Sequence, residues 1–318
     1  MSLDLATARS STRPETDAAV ERFERAHLAL FAAQGSAGRG VRIADGSGRE
    51  NYAIVRGDGP IPTVLLYGGL GVGAEFAKLA GLLEGRVVIP DRPGYGLTYP
   101  MDYRGVDLRG HAAAWMLDLV DGLGVSQVNV IGGSMGGLFA MAFATTHPER
   151  VRALGLLGAP AGLDRRFPLF LRLYANPLSG RVISRIRMSP TTLRDRAFSG
   201  YLTHPERLSM EWLEVAGAGG ALPGTGLSNR TLLNAVANLR GQRPEVIMQE
   251  AMTSLEVPTR FVWGDQDSFL PSAHGADLAR RMKHGQLAVI EDAGHIPHLD
   301  QPEAVAAAVN SFLRAPAP

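Results

Sequence analysis

Apolar positions follow two rhythms along this chain, and their alternation predicts the order of its elements. From Pro14 to Gln34, residues Val20, Phe23, His27, Leu28, Leu30 and Phe31 fall on one helical face, which predicts an amphipathic helix. Two strands are expected around the turn Asp45-Gly46-Ser47-Gly48, the second at Tyr52 to Val55. Continuous apolar runs at Thr63 to Tyr67, Val87 to Pro90, Val128 to Ile131 and Ala153 to Leu157 read as buried strands. Helical patterns alternate with them at about Ala74 to Leu83, Asp107 to Leu123 and Gly136 to Thr146. From Pro160 to about Val257 this alternation fails, and helical segments punctuated by Pro and Gly replace it. It resumes with strand Thr259 to Trp263, a helix near Ala273 to Met282, strand Gln286 to Ile290 and a closing helix at Pro302 to Arg314.

Short apolar strands alternating with amphipathic helices indicate an α/β fold, a mostly parallel doubly wound sheet covered on both faces. The stretch that breaks the rhythm reads as an inserted helical cap. The expected organisation is an N-terminal helical extension over 1–40, a core formed by 41–160 and 258–318, and the cap over 161–257. In such sheets, chemistry collects on the loops that follow strand C-termini.

Composition narrows the function classes. The 318 residues are 45% hydrophobic and 20% charged, ordinary values for a globular chain. A formal net charge of +1 makes no electrostatic case for nucleic acid or an acidic membrane surface. The chain has no cysteine, which removes disulfides, thiolate nucleophiles and cysteine-held metal. No run approaches the roughly 18 apolar residues of a membrane span, and residues 1–17 lack the apolar stretch of a secretory signal, so a cytoplasmic protein is expected.

The chemistry is expected at Gly132-Gly133-Ser134-Met135-Gly136, where an apolar strand runs through G-x-S-x-G into a helical pattern. This is the layout of a nucleophile elbow, a turn so tight that side chains two residues either side of the serine would collide. Glycines at 132 and 136 remove those collisions, and the Met135 N–H then faces the place where an oxyanion would form. A serine hydroxyl is a weak nucleophile at neutral pH, so it needs a base, and the base needs an orienting acid. Downstream, Gly264-Asp265-Gln266-Asp267 and Asp292-Ala293-Gly294-His295 each follow an expected strand end.

From about Tyr52 onward, the chain resembles the α/β-hydrolase fold superfamily, in its capped serine-hydrolase form. The resemblance rests on the elbow, on His147-Pro148-Glu149-Arg150-Val151 and on Asp91-Arg92-Pro93-Gly94-Tyr95-Gly96. It rests further on Gly264 to Asp267 with Pro271, and on Gly294-His295 followed by Gln301-Pro302-Glu303. The order Ser, Asp, His is that of the superfamily's triads. The resemblance implies Ser134 as nucleophile, His295 as base and Asp267 as orienting acid, with Asp265 serving the turn. It implies a second oxyanion donor from the loop Tyr67 to Gly73, where Gly69 and Leu70 are both candidates, and where many relatives carry a histidine in place of Tyr67.

The expected reaction is cleavage of an ester or related carbonyl bond of a small, largely apolar molecule through an acyl-enzyme. It calls for no cofactor or metal. The same fold also hosts carbon–carbon bond hydrolases, proline-type aminopeptidases and acyltransferases, and an idle small-ligand binding module is the alternative of another class. Dehalogenases and epoxide hydrolases are disfavoured, since they need a carboxylate at the elbow. The cap offers Tyr174, Phe170 and Trp212 as substrate contacts, with His298 helping at the pocket rim or bonding structurally. These aromatics read equally as the cap's own core. Eight arginines crowd 161–200 against Asp164 and Asp195 and read as an anion site or a solvated helix face. The expected partner is a small-molecule substrate, and self-association into a homo-oligomer stays open.

Overall fold

The computed structural model describes residues 14–69, 72–186 and 188–315. The first half runs α1 (Pro14–Ala33), β1 (Arg39–Ala44), β2 (Glu50–Arg56), β3 (Thr63–Leu66), α2 (Ala77–Leu82), β4 (Val87–Pro90), α3 (Leu108–Gly122), β5 (Val128–Gly133), α4 (Met135–Thr146) and β6 (Val151–Leu157). The inserted cap follows: α5 (Leu169–Ala175), α6 (Pro177–Ile183), α7 (Pro190–Thr192), α8 (Met210–Gly220), α9 (Thr225–Val236), β7 (Ala237–Asn238), β8 (Gly241–Gln242) and α10 (Gln249–Thr253). The core closes with β9 (Thr259–Gly264), α11 (Ser272–Arg281), β10 (Gly285–Ile290), α12 (Pro297–Asp300) and α13 (Pro302–Arg314).

Eight strands form one sheet in the order β1-β2-β4-β3-β5-β6-β9-β10. The β1–β2 and β2–β4 pairs are antiparallel and every other neighbouring pair is parallel. Every residue of β3, β4 and β5 is buried, because helices cover both faces of a parallel sheet and leave no polar side. The elbow helix α4 departs from the expected amphipathic pattern. It is buried from Met135 to Ala144, lying between the sheet and its neighbours, so its whole circumference is apolar or small.

The cap also contains a feature the helical reading omitted, the antiparallel ribbon β7–β8 of two residues per strand. Its signal was too short to separate from a loop. Helix α1 lies against the cap helix α8 and the body through Phe23, His27, Leu30 and Phe31, all buried, with Val20 and Leu28 half-buried. Among the described residues, no helix is long and apolar enough to cross a membrane.

Candidate active site

Three loops at the C-terminal edge of the sheet converge on Ser134. The serine sits between β5 and α4 at φ 47°, ψ −112°, in the left-handed half of backbone space that a side chain avoids. The glycines around it are sterically required. A Cβ on Gly132 would stand 2.6 Å from the Gly136 carbonyl oxygen, and one on Gly136 would run into the Leu66 carbonyl. The amides of Gly137 and Ala161 both donate to the Ser134 carbonyl at 3.0 Å, which holds the turn in its strained form.

His295 Nε2 lies 2.9 Å from Ser134 Oγ, and Nδ1 lies 3.1 and 3.2 Å from the two Asp267 oxygens. With Nδ1–H donated to Asp267, Nε2 is left as the acceptor for the serine proton. The imidazole stacks on Phe269 at 3.7 Å and 10°, and its backbone N–H donates to Tyr201 O at 2.7 Å. Asp267 accepts further bonds from Ala159 N and Phe269 N, each at 2.8 Å. Burial alone pushes this carboxyl up, but the charge and hydrogen bond of His295 and the two amides outweigh burial and hold it below the ordinary aspartate value. Asp267 therefore stays ionised at neutral pH. Asp265 is exposed and accepts from Ala293 N at 3.1 Å, bracing the turn that leads to His295.

No acid lies immediately after the end of β6, and the geometry there shows what stands in its place. Gly158 adopts φ +66°, with its α-carbon packed so close to the His295 carbonyl that a side chain would strike it, and the next amide, Ala159 N, serves Asp267.

Met135 begins α4, so its N–H is one of those at a helix start with no carbonyl partner inside the helix. Gly69 lies beside it, since a Cβ there would be 3.7 Å from Met135 Cβ; Leu70 falls outside the described residues. Tyr67 turns beneath this loop. Its hydroxyl donates to Asp91 at 3.2 Å and accepts from Arg92 N at 3.3 Å.

A cavity of about 740 Å³, counting its open mouth, lies over Ser134. Met135, Phe167, Leu171, Phe198, Trp212, Leu233 and Phe269 supply most of its wall, with Gly69, His295, His298 and Glu75 as further lining. Two of the cap residues singled out from sequence lie elsewhere. Phe170 is half exposed, and Tyr174 lines a separate groove with Arg104, Arg181 and Arg230. Both belong to α5, whose Leu171 lines the cavity; Phe170 is one 100° step away from it, and Tyr174, nearly a turn further along the helix, lies in the groove against Arg230, Thr231 and Asn234 of α9. Trp212 does reach the cavity and donates its indole N–H to Ala74 O at 3.0 Å.

His298 is fully buried, stacks on Phe76 and places Nε2 3.1 Å from Glu75 Oε1. The sequence reading missed Glu75. Its only sequence signal was an acid seven residues after Gly68 in an otherwise apolar stretch. None of the described cap arginines lines the cavity, and Arg187 is outside the described residues.

The alpha/beta hydrolase fold model matches residues 62–302, well over half of the 318 residues. The chain belongs to the α/β-hydrolase fold family. This hydrolase is 28% identical over 94% of its length to the dihydrolipoyllysine-residue acetyltransferase component of the acetoin cleaving system of Pseudomonas putida, covering 76% of that protein. It is 27% identical over 95% of its length to 2-hydroxy-6-oxononadienedioate/2-hydroxy-6-oxononatrienedioate hydrolase of Klebsiella pneumoniae, covering 99% of it. In fold it resembles the naproxen esterase of Bacillus subtilis, with a TM-score of 0.72, 19% identity and coverage of 95% and 100% of the two chains.

Ser134, His295 and Asp267 thus form a buried Ser-His-Asp triad on the family's fold, and the protein is a serine hydrolase acting on a small substrate. His295 takes the Ser134 proton as Oγ attacks the substrate carbonyl. The same proton then leaves with the departing group, and water repeats the sequence on the acyl-enzyme.

Proposed function

We propose that this hydrolase cleaves esters of small, uncharged, largely apolar acids. The reading is carried by one observation: the triad opens on a cavity whose described lining is mostly apolar and contains no lysine or arginine. A substrate carboxylate bound there would be desolvated without a cation and would face the Glu75 carboxylate, a costly arrangement. The Klebsiella relative is named for a nonadienedioate, which carries two carboxylates, so the same substrate class is disfavoured here. Met135 N–H supplies one oxyanion donor in this proposal, with Gly69 or Leu70 supplying the second. Trp212 and His298 serve as substrate-facing residues. We also divide the molecule into an N-terminal extension over 1–40, a core over 41–160 and 258–318, and the cap over 161–257; the start of β1 at Arg39, after α1 ends at Ala33, supports the first of these boundaries.

The test is a screen of nitrophenyl esters, amides, lactones and diketones with neutral and anionic acyl groups. Neutral esters are expected to turn over, and Ser134→Ala is expected to abolish turnover while still binding an apolar ligand. An active alanine variant would sink the assignment. Adding an alcohol separates hydrolase from acyltransferase, because only the latter returns a new ester. Failure of a fluorophosphonate to label Ser134 would favour a catalytically idle binding module.

A further inference from the structure

We propose that Glu75 is a positioning residue: it holds the N–H of Gly68 while Arg92 holds the carbonyl, so that Gly69 N–H faces the cavity as the second oxyanion donor. This inference rests on the acyl-enzyme reading above.

The loop after β3 runs Gly68-Gly69-Leu70-Gly71-Val72-Gly73, and its glycines leave it few side chains with which to hold one shape. Tyr67 does not help the loop face the site, since its hydroxyl is engaged below with Asp91 and the Arg92 amide. Two buried charged groups hold Gly68 instead. Its N–H donates to both Glu75 oxygens, at 3.1 and 3.2 Å, and its carbonyl accepts from Arg92 Nη2 at 2.7 Å. The Gly68 N–H is therefore committed and is not available to an oxyanion.

Glu75 thus holds the Tyr67–Gly68 peptide, and Arg92 holds the Gly68–Gly69 peptide that follows. No peptide bond among the described residues is cis, so the N–H of Gly69 points opposite to the carbonyl of Gly68 within one plane. That carbonyl points at Arg92, which lies on the core side among the rings of Tyr67, Tyr95 and Phe139. The Gly69 N–H must then point away from the core. Gly69 lines the cavity beside Met135, whose own N–H starts α4, so the two donors stand on neighbouring residues at the nucleophile.

Glu75 is itself held firmly. His298 Nε2 lies 3.1 Å from its Oε1, both side chains are buried, and the preceding carbonyl of Ala74 accepts from the cap's Trp212. A carboxylate this near Ser134 would oppose a developing oxyanion if it stood alone. The buried Arg92 guanidinium on the carbonyl side of Gly68 offsets it. Arg92 Nε and Nη1 have no hydrogen-bond partner among the described residues.

The experiment compares Glu75→Ala and Glu75→Gln with the parent, using a nitrophenyl ester, a trifluoromethyl ketone and the matching methyl ketone. Ser134 Oγ adds to the trifluoromethyl ketone carbon, its proton passes to His295, and the carbonyl oxygen becomes the oxyanion that the loop must hold. For Glu75→Ala, kcat is expected to fall roughly 100-fold, the usual cost of one lost oxyanion donor, with KM changed less than about threefold. Affinity for the trifluoromethyl ketone should fall in parallel, while the methyl ketone binds as before. Glu75→Gln should recover kcat to within about tenfold of the parent, because its amide oxygen accepts from Gly68 N–H and its NH2 donates to His298.

Three results would overturn the proposal: an alanine variant with kcat within about threefold of the parent, a glutamine variant as impaired as the alanine one, or equal weakening of both ketones. A parent protein that neither cleaves esters nor takes a fluorophosphonate on Ser134 overturns the serine-hydrolase reading as well. That failure is visible before any variant is made.

Discussion

Ser134 holds a backbone conformation that costs about 1–3 kcal/mol, and its neighbours show how that cost is offset. Two amides bond its carbonyl, and glycines at 132 and 136 replace side chains that could not fit. The residue scale also decides the acid. Asp265 and Asp267 are two apart, and both follow β9. Only Asp267 is buried against His295 and fed by two amides, while Asp265 faces solvent and a turn. Replacing Asp267 with Asn would remove the charge that fixes the Nδ1–H tautomer. The expected loss in kcat is about 10⁴-fold at neutral pH, as for the same change in the serine-protease triad. Steady-state ester hydrolysis measures it, and a loss of less than about tenfold would move the acid elsewhere.

At the scale of elements, α12 and the cap segment before α8 act as a latch on the catalytic loop. Buried Asp300, the last residue of α12, accepts from Gly294 N at 2.8 Å, Thr203 N at 3.1 Å and His204 N at 2.9 Å. Core loop and cap are thus joined through one carboxylate beside His295. Asp300→Ala would strand three amides. It is expected to lower stability by about 3 kcal/mol, read by urea denaturation, and to lower kcat by loosening His295. Unchanged values of both would show that the latch is idle. A second tie joins His204 Nε2 to Asp292 at 2.6 Å, and this hydrogen bond raises the His204 pKa above its ordinary value. Its contribution is full below the ordinary histidine range and is lost as pH rises through the raised value. Most strands and helices were legible because each rests on a local pattern of period 2 or 3.6. The β7–β8 ribbon and the latch were not, because both depend on partners far along the chain.

Over the whole molecule, α1 is docked on cap and body by a buried histidine. His27 lies between the rings of Phe23 and Phe31 at 5.1 and 5.3 Å, and neither ring nitrogen has a hydrogen-bond partner among the described residues. Burial pushes its pKa down from 6.5 to about 3. The unfolded chain therefore binds a proton that the folded chain refuses between those values, and stability falls as pH drops below 6.5. The fall attributable to His27 is about 2 kcal/mol between pH 6.5 and 5. His27→Met should flatten that slope in denaturation curves at the two pH values, and an unchanged slope would mean that His27 is not the group responsible. The helical spacing of His27 with Phe23 and Phe31 was readable from the chain; its missing partners were not. The sequence by itself determined the element order, the elbow and the order of serine, acid and base, because these are set by local periodicity and by short-range steric demands. Tertiary structure alone decided which cap side chains face the cavity, that Phe170 and Tyr174 do not, and that Glu75 and Arg92 meet at Gly68. Those outcomes depend on helix rotation and on contacts between distant segments, which no local pattern encodes.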